Sequence, residues 1–169
     1  MRWLLIDKIL EMEPGKKAVA VKCFSRSELF FMDHFPEYPI VPGVLQIEMI
    51  AQLAGKCLMA NAPLFLPVLT SVKSAKFRKA IQPGDKAFIY TEVAKRPSFA
   101  TAIGRVEVDG IHISSAEVMF GYIPILRTCA SKLQVILLQG TQPLKEYEQH
   151  SLEFYPCSKR SCRSETLYL

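Results

Sequence analysis

The sequence predicts an α+β domain in which an antiparallel sheet wraps around one long, buried helix. Two observations lead to this prediction. Strand-like runs of residues lie on both sides of a single helical segment. That segment carries apolar residues on nearly every side, so it has to be enclosed, and the strands are the elements that can enclose it. With 169 residues, the chain is long enough for one domain with a sizeable core.

Two strands precede the helix. They are predicted at 4–13 and 16–25, with Pro14-Gly15 as the turn between them. A loop follows at 25–43, and its prolines exclude a regular helix and stiffen the chain. These prolines are Pro36, Pro39 and Pro42.

The central helix is predicted from about Gly43 to Asn61. Pro42-Gly43 marks its start, and Asn61-Ala62-Pro63 marks its end. Polar residues interrupt the segment, and no apolar run in the chain approaches the ~18–20 residues of a membrane span. We therefore predict a core helix and no membrane span. The polar residues include Glu48, Gln52 and Lys56.

Four further strands follow the helix. They are predicted at 68–81, 86–96, 99–108 and 111–123. Asp109-Gly110 separates the last two strands and is typical of a tight hairpin turn. The periodicity fades after Gly140, and the tail lacks the composition of a second domain. We therefore predict one folded domain at 1–123 and a C-terminal extension without an assigned role at 124–169. Part of the extension, 125–140, fits a short helix.

Composition and charge limit the classes of function. The net charge is only +5, which does not indicate a nucleic-acid-binding protein. The 5 cysteines form no CxxC pair, and their odd number argues against a disulfide framework. Met1 leads almost directly into a strand-like run without the features of a signal peptide. We therefore expect a cytoplasmic protein with reduced thiols. We expect no metal site, because no metal-ligand spacing occurs.

Glu48 is a carboxylate within the apolar helix. On a helix, most of its neighbours at a distance of three and four residues are apolar. They are Val44, Leu45, Ala51 and Gln52. Carboxylates are almost never fully buried unless they are paired, so Glu48 is either the edge of a surface stripe or a working group. Burial would raise its pKa and favour the protonated form that a general acid needs.

Two other residues near Glu48 are of types that can take part in a reaction. Gly43 stands at the N-terminus of the helix, where unpaired N–H groups and the helix dipole favour negative charge, so its amide is a candidate oxyanion donor. His34 lies in the stiff loop before the helix, and a neutral imidazole takes up a proton near neutral pH. Each of these residues also has a purely structural interpretation. None of them decides the function alone.

These residues belong to an ordered motif that resembles the (3R)-hydroxyacyl-[acyl carrier protein] dehydratases of the FabZ type, which have the hot-dog fold. The motif spans 34–52 and runs from His-Phe-Pro through Pro-Ile-Val-Pro-Gly-Val to a Glu and an Ala-Gln pair. Its carboxylate is Glu48 rather than the Asp of the related dehydratase-isomerases. Similar flanking stretches extend the resemblance to about residues 3–122.

The resemblance implies a role for each residue of the motif. His34 removes the C2 proton of a β-hydroxyacyl thioester, and the Gly43 amide polarises the thioester carbonyl. Glu48, contributed by the other subunit of a dimer, protonates the departing hydroxyl group. Gln52 orients the carboxyl group of Glu48. No cofactor is implied. The remaining substrate-binding positions are Val44 and, at the acyl tunnel, Phe31.

The resemblance also implies partners. The acyl chain is carried on the phosphopantetheine arm of acyl carrier protein, which is acidic. A basic cluster is a candidate docking site for this carrier, and a solvated strand face is the other interpretation of the same residues. The candidate docking residues are Lys76, Arg78 and Lys79. The family further implies a homodimer or a trimer of dimers.

Another class of protein remains open. Asp33 stands where the family usually has Gly directly before the catalytic His. This departure slightly favours a non-catalytic hot-dog protein that binds acyl thioesters, and a thioesterase-type hot-dog protein is the other alternative. The presence of a base, an acid and an oxyanion donor favours the dehydratase, because a binding module needs no general acid. The sequence gives neither the acyl chain length nor the choice between carrier-protein and CoA thioesters.

Overall fold

The computed structural model of the protein describes residues 4–60, 65–128 and 132–135. They form an antiparallel sheet, one long helix and one short helical turn, all within the compact unit Met1–Leu138. The elements are β1 (Lys8–Glu13), β2 (Lys17–Cys23), α1 (Phe30–Asp33), α2 (Gly43–Met59), β3 (Phe65–Phe77), β4 (Lys86–Lys95), β5 (Phe99–Val108), β6 (Ile111–Thr128) and β7 (Lys132–Val135).

The sheet has 7 strands in the order β1-β2-β4-β5-β6-β3, with β7 paired to β6. All neighbouring strands are antiparallel. Asp109 and Gly110 have φ values of 51° and 74°, as a two-residue hairpin turn requires. The predicted fold class, an α+β domain with an antiparallel sheet around a central helix, is confirmed.

Small residues on the inner face of the sheet let α2 lie close to it. Ala20 of β2 and Ala102 of β5 are buried against the helix layer. A Cβ atom added to Gly104 of β5 would lie 2.4 Å from Cγ2 of Ile50 on α2. The side chain of Ile50 therefore packs directly on the sheet backbone at this glycine, which lets α2 lie close to the sheet. Among the described residues, no helix is long and apolar enough to span a membrane.

The turn α1 lies inside the segment predicted as a loop, so that prediction was wrong for these residues. The three prolines that exclude a helix all follow Asp33 and do not reach the turn. Phe30 packs edge-on against Phe24, with ring centroids 6.2 Å apart, and its ring is 4.6 Å from that of Phe31. Because one isolated turn is unstable in water, these aromatic contacts hold it in place.

The described part of the segment 125–140 is strand, so the prediction of a short helix there is wrong. β6 continues through the boundary predicted at residue 123, and its last residues pair with β7. This ladder supplies hydrogen-bond partners for backbone groups that a helix would have satisfied locally. Residues 136–169, the larger part of the predicted extension, lie outside the described residues.

Candidate active site

His34 directly follows α1 and is held by backbone hydrogen bonds on both sides. Its N–H donates to the carbonyl oxygen of Phe30 at 3.0 Å, and its own carbonyl accepts from the N–H of Ile40 at 2.9 Å. The imidazole is half-buried and stacks on the ring of Phe35, with centroids 4.3 Å apart. The main chain and one ring face are thus fixed, while part of the imidazole stays accessible to a ligand.

A tight turn connects His34 to the start of α2. Phe35 and Tyr38 exchange two backbone hydrogen bonds, of 3.1 and 3.0 Å. The N–H of Val41 donates to the carbonyl oxygen of Ile81 at 2.8 Å, which ties the loop to the segment after β3. The proline-rich loop therefore has a defined path, as its sequence predicted.

Glu48 is half-buried on α2, and a chain of two hydrogen bonds orients its carboxyl group. Nε2 of Gln52 donates to Oε1 of Glu48 at 3.1 Å. Oε1 of Gln52 in turn accepts from the backbone N–H of Leu5 at 3.0 Å. Since the amide oxygen is occupied by Leu5, the amide nitrogen has to face Glu48. The predicted orienting role of Gln52 has this geometric support. The bond from Leu5 was not foreseen.

Gly43 is the first residue of α2, and the ring of Phe77 covers its Cα. An ideal Cβ atom at this position would lie 3.0 Å from Cζ of Phe77. Pro42, the residue before the helix, forms no side-chain hydrogen bond to the first N–H groups of α2. Val44, the next residue, is 70% exposed. The glycine therefore allows Phe77 to pack against the start of the helix.

We expect Gly43→Ala to lower activity far more than stability. The new methyl group meets the Phe77 ring at 3.0 Å, so ring and helix start have to move apart. The gain in helix propensity, up to ~1 kcal/mol, offsets part of the overpacking cost. Displacement of the amide of Gly43, the predicted oxyanion donor, is expected to lower the rate by about 10-fold or more. Steady-state kinetics and thermal unfolding of the same sample measure both effects.

Gly55→Ala is the matched control for this prediction. It lies in the middle of the same helix, and its added Cβ atom would be 3.8 Å from Cγ of Pro67, an ordinary contact. We expect this variant to be slightly more stable and fully active. Equal activity of the two alanine variants would contradict a special role for the backbone at Gly43.

Two predicted substrate-binding residues differ in their environments. Phe31 is only 3% exposed and belongs to the hydrophobic core, whereas Val44 lies largely in solvent. Within the described part of the chain, no hydrogen bond, ion pair or ring contact joins His34 to Glu48. The two groups of the predicted acid–base pair therefore do not contact each other directly in a single chain.

The predicted docking residues Lys76, Arg78 and Lys79 are exposed at and just after the end of β3. Nη1 of Arg78 lies 3.3 Å from Nε2 of His112. In the described ranges, no carboxylate forms an ion pair with any of the three docking residues. Their charges are thus available to an acidic partner.

The fold is that of a hot-dog protein, and the predicted site residues His34, Gly43 and Glu48 lie just after α1 and on α2. Comparison with known families identifies it further: the chain belongs to the ApeI-like family, described as ApeI dehydratase, which matches residues 11–109. The resemblance predicted from the motifs is confirmed.

Curated relatives of the chain are dehydratases. The chain is 40% identical over 121 residues to the 3-hydroxyacyl-[acyl-carrier-protein] dehydratase FabZ of Ruminiclostridium cellulolyticum, a match that covers 70% of this chain and 85% of the relative. It is 38% identical over 122 residues to the FabZ of Geobacillus sp., with 70% and 83% covered. The chain therefore spans most of the length of these enzymes.

Solved structures support the fold. The dehydratase heterocomplex ApeI:P of Xenorhabdus doucetiae gives a TM-score of 0.54 at 22% identity and covers 68% of this chain and 96% of that one. A hypothetical thioesterase from Streptococcus pneumoniae with coenzyme A gives a TM-score of 0.57 at 14% identity. The match covers 69% of this chain and 85% of that one. At these identities the likeness concerns the fold alone, so the thioesterase-type alternative gains no support beyond shared architecture.

Proposed function

We propose that the protein removes water from (3R)-hydroxyacyl-[acyl carrier protein] thioesters to give trans-2-enoyl thioesters. The reaction belongs to fatty acid or lipid A synthesis in the cytoplasm. His34 is the base and Glu48 the acid. The observation that carries the proposal is the oriented carboxyl group of Glu48, which Gln52 holds on a largely buried helix. A binding protein has no need to orient a carboxyl group in this way.

The proposed chemistry follows from where charge develops. When His34 takes the C2 proton, negative charge accumulates on the thioester oxygen, and the Gly43 amide at the positive end of α2 stabilises it. The C3 hydroxyl group leaves as water after it receives a proton from Glu48, which acts as the general acid. The carbon–oxygen bond breaks, and its electron pair leaves with the oxygen. The C2–C3 double bond of the enoyl product forms from the electrons of the broken C–H bond.

A homodimer is part of this proposal. β3 forms one edge of the sheet and exposes apolar side chains, which is unfavourable for a free edge strand. These side chains include Phe65, Val68, Leu69 and Val72. We infer that two copies join along this edge, and that Glu48 of one protomer acts with the partner's His34. Three such dimers are then a possible higher assembly.

The test of the proposed function is the reverse reaction, hydration of trans-2-enoyl-[acyl carrier protein], followed by the loss of enoyl-thioester absorbance. We expect the wild-type protein to be active. Asp33→Gly is assayed beside it, because Asp33 is the exposed neighbour of His34. Activity in Asp33→Gly alone would identify a disabled enzyme and favour the binding-protein alternative. No activity in either protein would refute the mechanism.

We expect the double substitution Lys76→Glu/Lys79→Glu to raise KM for the carrier-bound substrate by about 10-fold, because it reverses charge on a surface that an acidic carrier approaches. The reaction of a short pantetheine thioester should be unchanged. Lys95→Glu, an exposed residue at the end of β4, is the matched control. Equal KM changes for carrier-bound and free thioesters would exclude carrier docking at this cluster.

A further inference from the structure

Lys22 is a buried charge outside the residues assigned so far. It lies on β2 in phase with Ala20, whose side chain is fully buried, and the whole residue is only 8% exposed. Two residues further on, Phe24 is also buried. Burying an ammonium group is strongly unfavourable unless carboxylates compensate it. The position therefore requires partners.

Two carboxylates provide them. Nζ of Lys22 lies 3.0 Å from Oδ1 of Asp7 and 3.3 Å from Oε1 of Glu28. Burial alone would lower the pKa of Lys22, but the hydrogen bonds and charges of both carboxylates outweigh this effect and raise it. The ammonium group is thus the only described positive charge that holds these two carboxylates together.

The two carboxylates are anchored differently. Asp7 is fixed to β2 independently of Lys22, because its N–H donates to the carbonyl oxygen of Val21 at 2.9 Å and its Oδ2 accepts from the N–H of Cys23 at 2.7 Å. Glu28 lies in the segment between β2 and α1, and its described side-chain contact is the ion pair with Lys22. Without the ammonium group, repulsion between the carboxylates displaces Glu28, since Asp7 cannot yield.

Glu28 is connected to the catalytic base through the backbone of α1. Its carbonyl oxygen accepts from the N–H of Phe31 at 3.1 Å, and the N–H of His34 donates to the carbonyl oxygen of Phe30 at 3.0 Å. α1 is a single turn, and the residue before it forms no side-chain cap. Such a turn depends on its anchors. These are the burial of Phe31 in the core, the edge contact of Phe30 with Phe24, and the Lys22–Glu28 ion pair.

We propose that Lys22 is a positioning residue for His34, acting through Glu28 and the turn α1. The inference rests on the proposed function, since it concerns the placement of the base that this function assigns. Proton transfer from C2 needs the imidazole nitrogen within hydrogen-bond reach of a fixed substrate, and a displacement of about 1 Å costs on the order of 100-fold in rate. Lys22 does not itself touch the substrate.

The test compares Lys22→Met with Lys22→Arg in the full chain. We expect Lys22→Met to lower kcat by about 10- to 100-fold with little change in KM, because the loss lies in the reacting geometry. Lys22→Arg, which keeps the charge and both ion pairs, should recover most of kcat. Lys16→Met, which removes an exposed lysine paired with Glu13, is the matched control and should behave as wild type.

A double-variant cycle shows whether Lys22 acts through Glu28. Glu28→Gln relieves the repulsion that Lys22→Met creates, so we expect the double variant to be no slower than Lys22→Met alone. Additive losses would overturn the proposal. Amide hydrogen exchange of a peptide covering residues 30–34 is the second measurement, and it should accelerate in Lys22→Met and in Glu28→Gln. If Lys22→Met does not fold, the kcat of Glu28→Gln and its amide hydrogen exchange at residues 30–34 test the proposal instead.

The outcomes separate this inference from the proposed function. An active wild type with an equally active, folded Lys22→Met variant overturns the positioning role and leaves the dehydratase standing. An inactive wild type refutes the proposed function. It also refutes the effect of the Lys22–Glu28 ion pair on catalysis. An Arg variant as slow as the Met variant, with unchanged exchange at 30–34, also overturns the inference.

Discussion

His34→Ala is expected to retain its fold and to lose about 10³-fold or more in kcat/KM for enoyl hydration, since an acid–base group typically contributes 10²–10⁴-fold. The imidazole is half-buried and stacks on Phe35, so its removal changes stability only modestly. Kinetics with enoyl-[acyl carrier protein], together with circular dichroism, measure the two effects separately.

Glu37→Ala is the control for this variant. It removes an exposed side chain from the same loop and leaves the imidazole in place. We expect it to be active, which would show that the loop tolerates a change near His34. If His34→Ala kept more than about a tenth of the wild-type activity, the assignment of the base would be wrong.

Glu48→Gln is expected to lower kcat by about 10²- to 10⁴-fold while KM stays close to the wild-type value. The amide is nearly isosteric, and its oxygen can still accept the hydrogen bond from Nε2 of Gln52. The variant thus keeps the geometry of the site and loses only the group that can release a proton. Parallel measurements of kcat and KM check this split.

Mixing the two inactive variants distinguishes a site within one chain from a site shared by two. In a symmetric dimer with shared sites, a mixed dimer has one site that lacks both the imidazole and the carboxyl group. Its other site has both groups intact. Random exchange of subunits therefore restores about one quarter of the wild-type activity. Complete absence of recovery, with subunit exchange confirmed by mass spectrometry, would place both groups in one chain.

Much of the fold could be predicted because its signals are local. The apolar residues of α2 and the turn at Asp109-Gly110 are readable in short windows of sequence, and both stand close to their predicted places. The turn α1 was missed because the packing of Phe30 on Phe24 and the burial of Phe31, rather than a helical periodicity, hold it. The segment after Ile123 was misread because strand pairing decides its conformation.

The candidate site was predicted from its motif, and its supporting contacts were not. The packing of Phe77 against Gly43 joins elements that are distant in sequence, and no local pattern announces it. Lys22 is different. The alternation of β2 places Lys22 on the same face as Ala20. Its burial could therefore have been inferred from the sequence, just as the sequence showed Glu48 to be a charged residue in an apolar environment.

The support of Glu48, the proposed acid, by the backbone of Leu5 has an evolutionary consequence. Leu5 donates its backbone N–H to Gln52, while its side chain, 5% exposed, serves only the core. Every amino acid except proline carries that N–H group, so natural selection on packing and selection on catalysis act on different atoms of the same residue. One apolar residue can replace another at position 5 while the hydrogen bond to Gln52 persists. A comparison of sequences therefore does not reveal the contribution of this N–H group to the proposed catalysis.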